Sequence, residues 1–187
     1  MGVALNIFGN LLLLTTLLAV AFFVFAKVRS EYQLHGSLSR PIAVLQTGYF
    51  CVYALCSYVF LDSRFSHVNA VGLFFPLAVT FMVIGLLMVV FSMPFLGRRS
   101  FGIEVGGLRI SGLYRYSRNP QLVGGFIFIV GYAMLWPSWT GALWASMWLV
   151  IAHLMIRGEE VHLENVFGDE YRDYCVRTPR YLGLPKK

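Results

Sequence analysis

Residues 112–125 read GLYRYSRNPQLVGG, a polar and basic passage set between long apolar runs. The passage ends by launching a new hydrophobic helix. Pro120 suits the first helical position, where a missing N–H costs nothing. Asn119 before it is a good N-cap. The helix start is expected to present free backbone N–H groups and a positive dipole end beside Arg115 and Arg118, with Arg109 just upstream. Such a place suits a carboxylate or a phosphate. Taken alone, the same residues also read as a membrane helix beginning at a basic boundary.

Working outward, 58% of the 187 residues are hydrophobic and 13% are charged. Soluble domains carry roughly 25% charged residues. The apolar residues also fall in runs of membrane-spanning length, which points to an all-α, polytopic membrane helix bundle. A single integral membrane domain over 1–187 is expected, with three N-terminal spans in 1–93. The second half, 94–187, would hold a polar loop, a helical hairpin and a C-terminal helix over the site. In such a chain the net charge of +6 reports topology, so nucleic acid is a poor partner. Cys51, Cys56 and Cys175 form no CxxC pair and no zinc spacing, and no metal constellation is visible.

The first apolar run is about Val3 to Ala26, followed by Lys27 and Arg29. No basic residue precedes it, the opposite of a secretory signal, so it reads as a retained span. Residues 27–40 read as a polar connection, and Pro41 opens a second span to about Leu61. A turn at Asp62, Ser63 and Arg64, through His67 and Asn69, precedes a third span from about Ala70 to Met93. Pro76 is a candidate kink in it. The stretch 94–118 holds Arg98, Arg99, Glu104 and several glycines, and reads as a folded cytoplasmic loop. The fourth and fifth spans, about Pro120 to Leu135 and Thr140 to Ile156, meet at the turn Trp136-Pro137-Ser138-Trp139. Gly124, Gly125 and Gly131 are expected to let these two approach closely. Five spans with the N-terminus outside and the C-terminus cytoplasmic put fourteen of the fifteen Lys and Arg inside, Arg64 being the exception.

The last span runs into Arg157, Glu159 and Glu160 and then a further helix to about Cys175, with Gly168 marking a bend. Glu160, Leu163, Phe167, Tyr171 and Tyr174 fall at helical spacing on one face. Glu160 is therefore expected to face inward, with Glu159 pointing elsewhere. An acid on a packed face needs a cationic partner, which is Arg157, Arg118 or a ligand ammonium. A helix start with arginines suits a carboxylate and an acid suits an ammonium. The two clusters together suit a zwitterionic amino-acid head. His153 and His162 read as packing residues.

GLYRYSRNPQLVGG resembles the first motif, G-x-Y-R-x-x-R-[HN]-P-x-Y-x-G, of the isoprenylcysteine carboxyl methyltransferase and phospholipid N-methyltransferase superfamily. RGEEVHLENVFGDEYRDYCVRTPRYL resembles its second motif, and a hairpin separates the two as in that superfamily. The resemblance covers about Leu96 to Pro185. It implies S-adenosylmethionine as cofactor and a lipid-like or amphipathic small-molecule acceptor among membrane lipids. It also implies cofactor contacts from Tyr114, Arg118, Asn119, Pro120, Gly124, Glu160, Tyr171 and Tyr174, with Glu160 receiving the methionine ammonium. Arg157, Glu159 and Arg180 are the catalytic candidates that it places in the second motif. Asn119 stands where the isoprenylcysteine enzymes commonly have His, and Leu122 where Tyr is frequent.

Two other classes compete with a methyltransferase. An NADPH-dependent membrane reductase of the sterol type shares a similar C-terminal hairpin, but such chains are longer. A non-catalytic assembly or transport protein explains the spans and the basic face, yet gives no reason for an acid on the packed stripe.

Overall fold

Lys27, Arg29 and Glu31 do not interrupt the first helix. In the computed structural model, which describes residues 2–61, 72–92 and 107–186, helix α1 runs unbroken over Gly2–His35. The expected polar connection is thus mostly helix. Lys, Arg, Glu and Gln are good helix formers, and Glu31 pairs with His35 one turn on, at 3.8 Å. Gly36, at φ +65°, ends the helix, its N–H donating to the Tyr32 carbonyl (3.1 Å).

Helix α2 spans Arg40–Phe60 with Pro41 in its first turn, and α3 spans Phe74–Ser92. Pro76 falls in the first turn of α3, where proline removes no helical hydrogen bond, so it is no kink. A short 3₁₀ turn, Gly112–Arg115, leads to α4, Pro120–Met134. Ser138 caps α5, Trp139–Phe167, its Oγ accepting from the Gly141 N–H (3.0 Å). Gly168, at φ +51°, turns the chain into α6, Asp169–Arg177. The expected turn at Asp62 to Asn69 and the loop residues Arg98, Arg99 and Glu104 lie outside the described residues.

Among the described residues, four helices are long and apolar enough to cross a membrane, and α4 is a shorter apolar helix beside them. The chain is an integral multi-pass membrane protein. At 1.5 Å per residue α1 and α5 are about 50 and 44 Å long, against a hydrocarbon core of about 30 Å. Both therefore project beyond the hydrocarbon core, and α5 carries Glu159 and Glu160 towards its projecting end.

The core sits between α1, α2 and α5. Leu17, Ala21, Val24 and Phe25 of α1 pack with Tyr49 and Tyr53 of α2 and with Trp144, Met147 and Ile151 of α5. Tyr53 and Trp144 stack at 5.0 Å and exchange hydrogen bonds. The Tyr53 hydroxyl donates to the Trp144 carbonyl (3.0 Å), and the Trp144 indole N–H donates to the Tyr53 carbonyl (3.2 Å). Both polar tips are thereby satisfied inside the membrane.

Helix α3 joins the bundle through α4, and the glycines do this. Ala78, Gly85 and Ser92 recur every seven residues on its buried side, as do Gly124 and Gly131 on α4. A side chain at Gly131 would meet the Ala78 carbonyl at 2.7 Å, and one at Gly124 the Gly85 carbonyl at 2.8 Å. The expected tight approach of α4 to α5 is thus corrected. Gly125 alone of the three faces α5, against Trp148, while Gly124 and Gly131 seat α3.

Candidate functional site

A cavity of about 810 Å³ runs from the projecting end of α5 into the bundle. Its polar mouth is lined by Tyr32, Arg109, Tyr114, Arg118, Asn119, Glu159, His162 and Tyr174. Deeper in, its walls are apolar and aromatic, from Leu122, Phe128 and Met155 down to Tyr132, Trp144 and Trp148. Glu159 and Trp144 lie fifteen residues apart on α5, about 22 Å along a helix axis. One continuous space thus joins a charged mouth to a membrane-level interior.

The two acids have separate tasks. Glu160 accepts from three guanidinium N–H groups: Arg180 Nε (2.8 Å) and Arg118 Nη1 (2.9 Å) reach Oε1, and Arg180 Nη2 (2.8 Å) reaches Oε2. Its side chain is only 18% exposed. Arg118 Nη1 also donates to Cys175 Sγ at 2.7 Å. Hydrogen bonding to Glu160 holds the Arg180 guanidinium above its ordinary pKa. Glu159 has no ion pair or hydrogen bond among the described residues, and it lines the cavity. Glu160 meets Arg118, one of its expected cationic partners, and Arg180 besides, whereas Glu159, expected to point elsewhere, is the acid that lines the cavity. The inward stripe through Leu163 and Phe167 continues back to Glu159, four residues before Leu163, as well as to Glu160. Facing on that stripe does not separate the two, and the arginines claim Glu160.

The start of α4 is less open than its sequence implies. The N–H of Asn119 donates to Ser117 Oγ (3.0 Å), and those of Leu122 and Val123 donate to the Asn119 carbonyl (3.1 and 3.2 Å). The Asn119 side chain does not cap the helix. Its Nδ2 donates instead to the Arg180 carbonyl (3.1 Å). With the Arg118 N–H donating to the Pro179 carbonyl (3.0 Å), this ties the chain after α6 to the first motif. Tyr174 completes the tie, its hydroxyl donating to the Tyr114 carbonyl (2.7 Å). Burial pushes both phenols above their usual pKa range, so they remain neutral donors.

Of the candidates from the sequence, Tyr114, Arg118, Asn119, Glu159 and Tyr174 come together around the mouth. Glu160 and Arg180 form the clamp beside it, and Tyr171 is buried next to Tyr174, ring centroids 6.3 Å apart. Three others lie elsewhere. Pro120 is buried at the helix start without lining the cavity, and Gly124 serves the α3 contact. Arg157 is exposed and is corrected as a catalytic candidate. Two positions from Glu159 on a helix is about 200° around the axis, so the two side chains leave on nearly opposite sides. Tyr32 and His162, stacked at 4.5 Å, were missed as cavity residues. The signal for Tyr32 is that no Gly or Pro stands between Ala26 and His35 to stop α1 short of it.

The family model for phospholipid methyltransferase matches residues 73–170, just over half the chain, from α3 to the start of α6. A Protein-S-isoprenylcysteine O-methyltransferase of Schizosaccharomyces pombe is 36% identical over 76 residues. That alignment covers 40% of this chain and 31% of that protein, so less than a third of the relative's length is matched. No solved structure matches. The matched region contains the glycine-seated α3–α4 pair, six of the eight residues named at the cavity mouth and both acids, and the chain belongs to the phospholipid methyltransferase family.

Proposed function

We propose that this protein is an S-adenosylmethionine-dependent methyltransferase acting on a lipid-like or amphipathic acceptor. One observation carries this: a polar mouth that holds Glu159 with Arg109 and Arg118 opens into an apolar, aromatic-walled cavity at membrane depth. S-adenosylmethionine, when bound, supplies an electrophilic methyl group on a sulfonium. The residues present fit such a group. Glu159 offers an uncommitted carboxylate to a cation, and Arg118 Nε is buried without a hydrogen-bond partner. Tyr114, Asn119 and Tyr174 form the rest of the mouth.

The chain's own contribution is alignment and exclusion of water. The α4–α5 hairpin supplies walls for an apolar tail, and the chain after α6, tied through Pro179 and Arg180 to Arg118 and Asn119, lies across the polar end. An anionic acceptor needs no base. For an amine acceptor, the Glu159 carboxylate is the cavity group able to take the proton. Glu160 acts through the arginines it holds, as a positioning residue.

In titration calorimetry in detergent, S-adenosylmethionine or its demethylated product is expected to bind saturably and NADPH is not. Arg118 and Arg180 are already committed to Glu160, and Glu159, whose pKa burial pushes up to about 7, is the acid at the mouth that a bound cation would hold in its charged form. Opposite charges about 4 Å apart near a protein surface attract by roughly 4 kcal/mol before desolvation, and like charges repel similarly. Saturable NADPH binding with no response to S-adenosylmethionine would replace this proposal with a reductase.

We also propose that the N-terminus is outside and the C-terminus cytoplasmic, on the charge asymmetry of fourteen Lys and Arg against Arg64. A thiol placed by Pro137→Cys is expected to react with an impermeant reagent added outside sealed cells. Labelling only after the cells are opened would reverse the orientation.

A further inference from the structure

We infer that the C-terminal strap, residues 178–186, seats in the bilayer. Its Tyr181, Leu182 and Leu184 side chains lie in the acyl–headgroup boundary of the membrane that α5 crosses, and Arg115 and Lys186 lie against anionic headgroups. Nothing in this depends on the chemistry proposed for the cavity.

The strap is not a loose tail. Besides the bonds to Pro179 and Arg180 described above, the Gly183 N–H donates to the Tyr116 carbonyl (3.0 Å) and the Lys186 N–H to the Arg177 carbonyl (2.8 Å). These fix its path across residues 116–119. Its outer side chains are nonetheless apolar and uncovered. Leu184 is 83% exposed, Leu182 65% and Tyr181 43%, next to Tyr116 at 45%. In water such a rigid apolar edge would be unfavourable.

Depth identifies what covers it. The Tyr181 hydroxyl lies 2.8 Å from His153 Nδ1. His153 is fourteen residues into α5 from Trp139, about 21 Å along the axis. Trp139 stands exposed in the aromatic turn at the far interface, and the hydrocarbon core beyond it is about 30 Å thick. Tyr181 is therefore tied to a point on α5 at or inside the near boundary, and the residues following it lie beside lipid. Tyrosine with leucine and nearby cations is the composition that suits this zone. Arg115 and Lys186 are exposed, whereas Arg177 is partly offset by Asp173 at 3.9 Å.

The test uses the full chain in nanodiscs of phosphatidylcholine and phosphatidylglycerol. A small fluorescent amino acid replaces Leu184 by codon suppression, and in a second protein it replaces Glu170, an exposed residue of α6. Leu184 is so open that the label does not disturb packing. At position 184, acyl-brominated lipid is expected to quench several-fold more than aqueous iodide, and at 170 the reverse. Iodide quenching at 184 as efficient as at 170 would overturn the proposal. Equal lipid quenching at both positions would also overturn it, because the strap would then have no special place in the bilayer.

Discussion

Gly85→Ala is expected to lower thermal stability in detergent by roughly 5–10 °C. A β-carbon at Gly85 would collide with the backbone N–H of Phe128 and lie 2.6 Å from the Gly124 carbonyl. Neither obstacle is a side chain able to swing aside, so α3 and α4 must separate. Overpacking of this kind costs typically about 1–3 kcal/mol, and in a chain of this size 1 kcal/mol moves the midpoint by about 2–4 °C. Separation also weakens the Gly124 and Gly131 contacts along the same seam, which places the effect at the upper end. Gly48→Ala on α2 is the control, with nothing within 4 Å of its added carbon. It should be neutral or stabilising by up to about 1 kcal/mol, since alanine is the better helix former. Equal midpoints for the two variants would mean that α3 does not depend on the glycine seam.

That seam marks the limit of what the sequence disclosed about packing. The number and type of helices were legible because runs such as Phe74–Ser92 are as long and apolar as a membrane span requires. Which side of each helix faces protein was not. The buried stripe of α1, at Leu17, Ala21, Val24 and Val28, is no more apolar than its lipid-facing Phe22 and Phe23. Lipid is as apolar as a core, so hydrophobic periodicity carries little facing information there. Small residues carry it instead. The seven-residue recurrence of Ala78 and Gly85 with that of Gly124 and Gly131 was present in the chain. Gly124 and Gly131 nevertheless read as facing α5, the next helix along the chain, because sequence neighbours are the default packing neighbours.

The site was legible to a different degree at each end. The two motifs correctly brought Tyr114, Arg118 and Asn119 together with Glu159, Glu160 and Tyr174. Motif spacing fixes which helix ends meet. It does not fix which donors remain free, because that depends on groups far away in sequence. Asn119 looked like a cap for α4, but the Arg180 carbonyl, sixty-one residues later, takes its amide. The tail appeared only as a trailing arginine, yet it uses Arg118, Asn119 and Glu160 together.

The same separation of tasks makes the paired substitutions Glu159→Gln and Glu160→Gln diverge in opposite readouts. Glu159 has no partner within the described residues, and burial pushes its pKa up to about 7, so Glu159→Gln removes a costly acid that nothing in the fold depends on. Its stability should be unchanged or slightly higher, because the desolvation cost of a carboxylate disappears. Binding of S-adenosylmethionine or its product should fall by tens- to thousands-fold, the roughly 2–5 kcal/mol lost when one partner of a buried charge pair is removed. Glu160→Gln leaves Arg118 and Arg180 facing a neutral amide. Arg118 is only 12% exposed, so breaking this cluster is expected to destabilise the protein by up to about 3 kcal/mol, with Arg180 contributing less because it is 39% exposed. Its binding defect should be smaller and should shrink at lower temperature, where the clamp re-forms in a larger fraction of molecules. Calorimetric titration of ligand and thermal unfolding in the same detergent give both numbers for each variant. A large binding loss in Glu160→Gln with unchanged unfolding, beside near-normal binding in Glu159→Gln, would return the cation-binding role to Glu160.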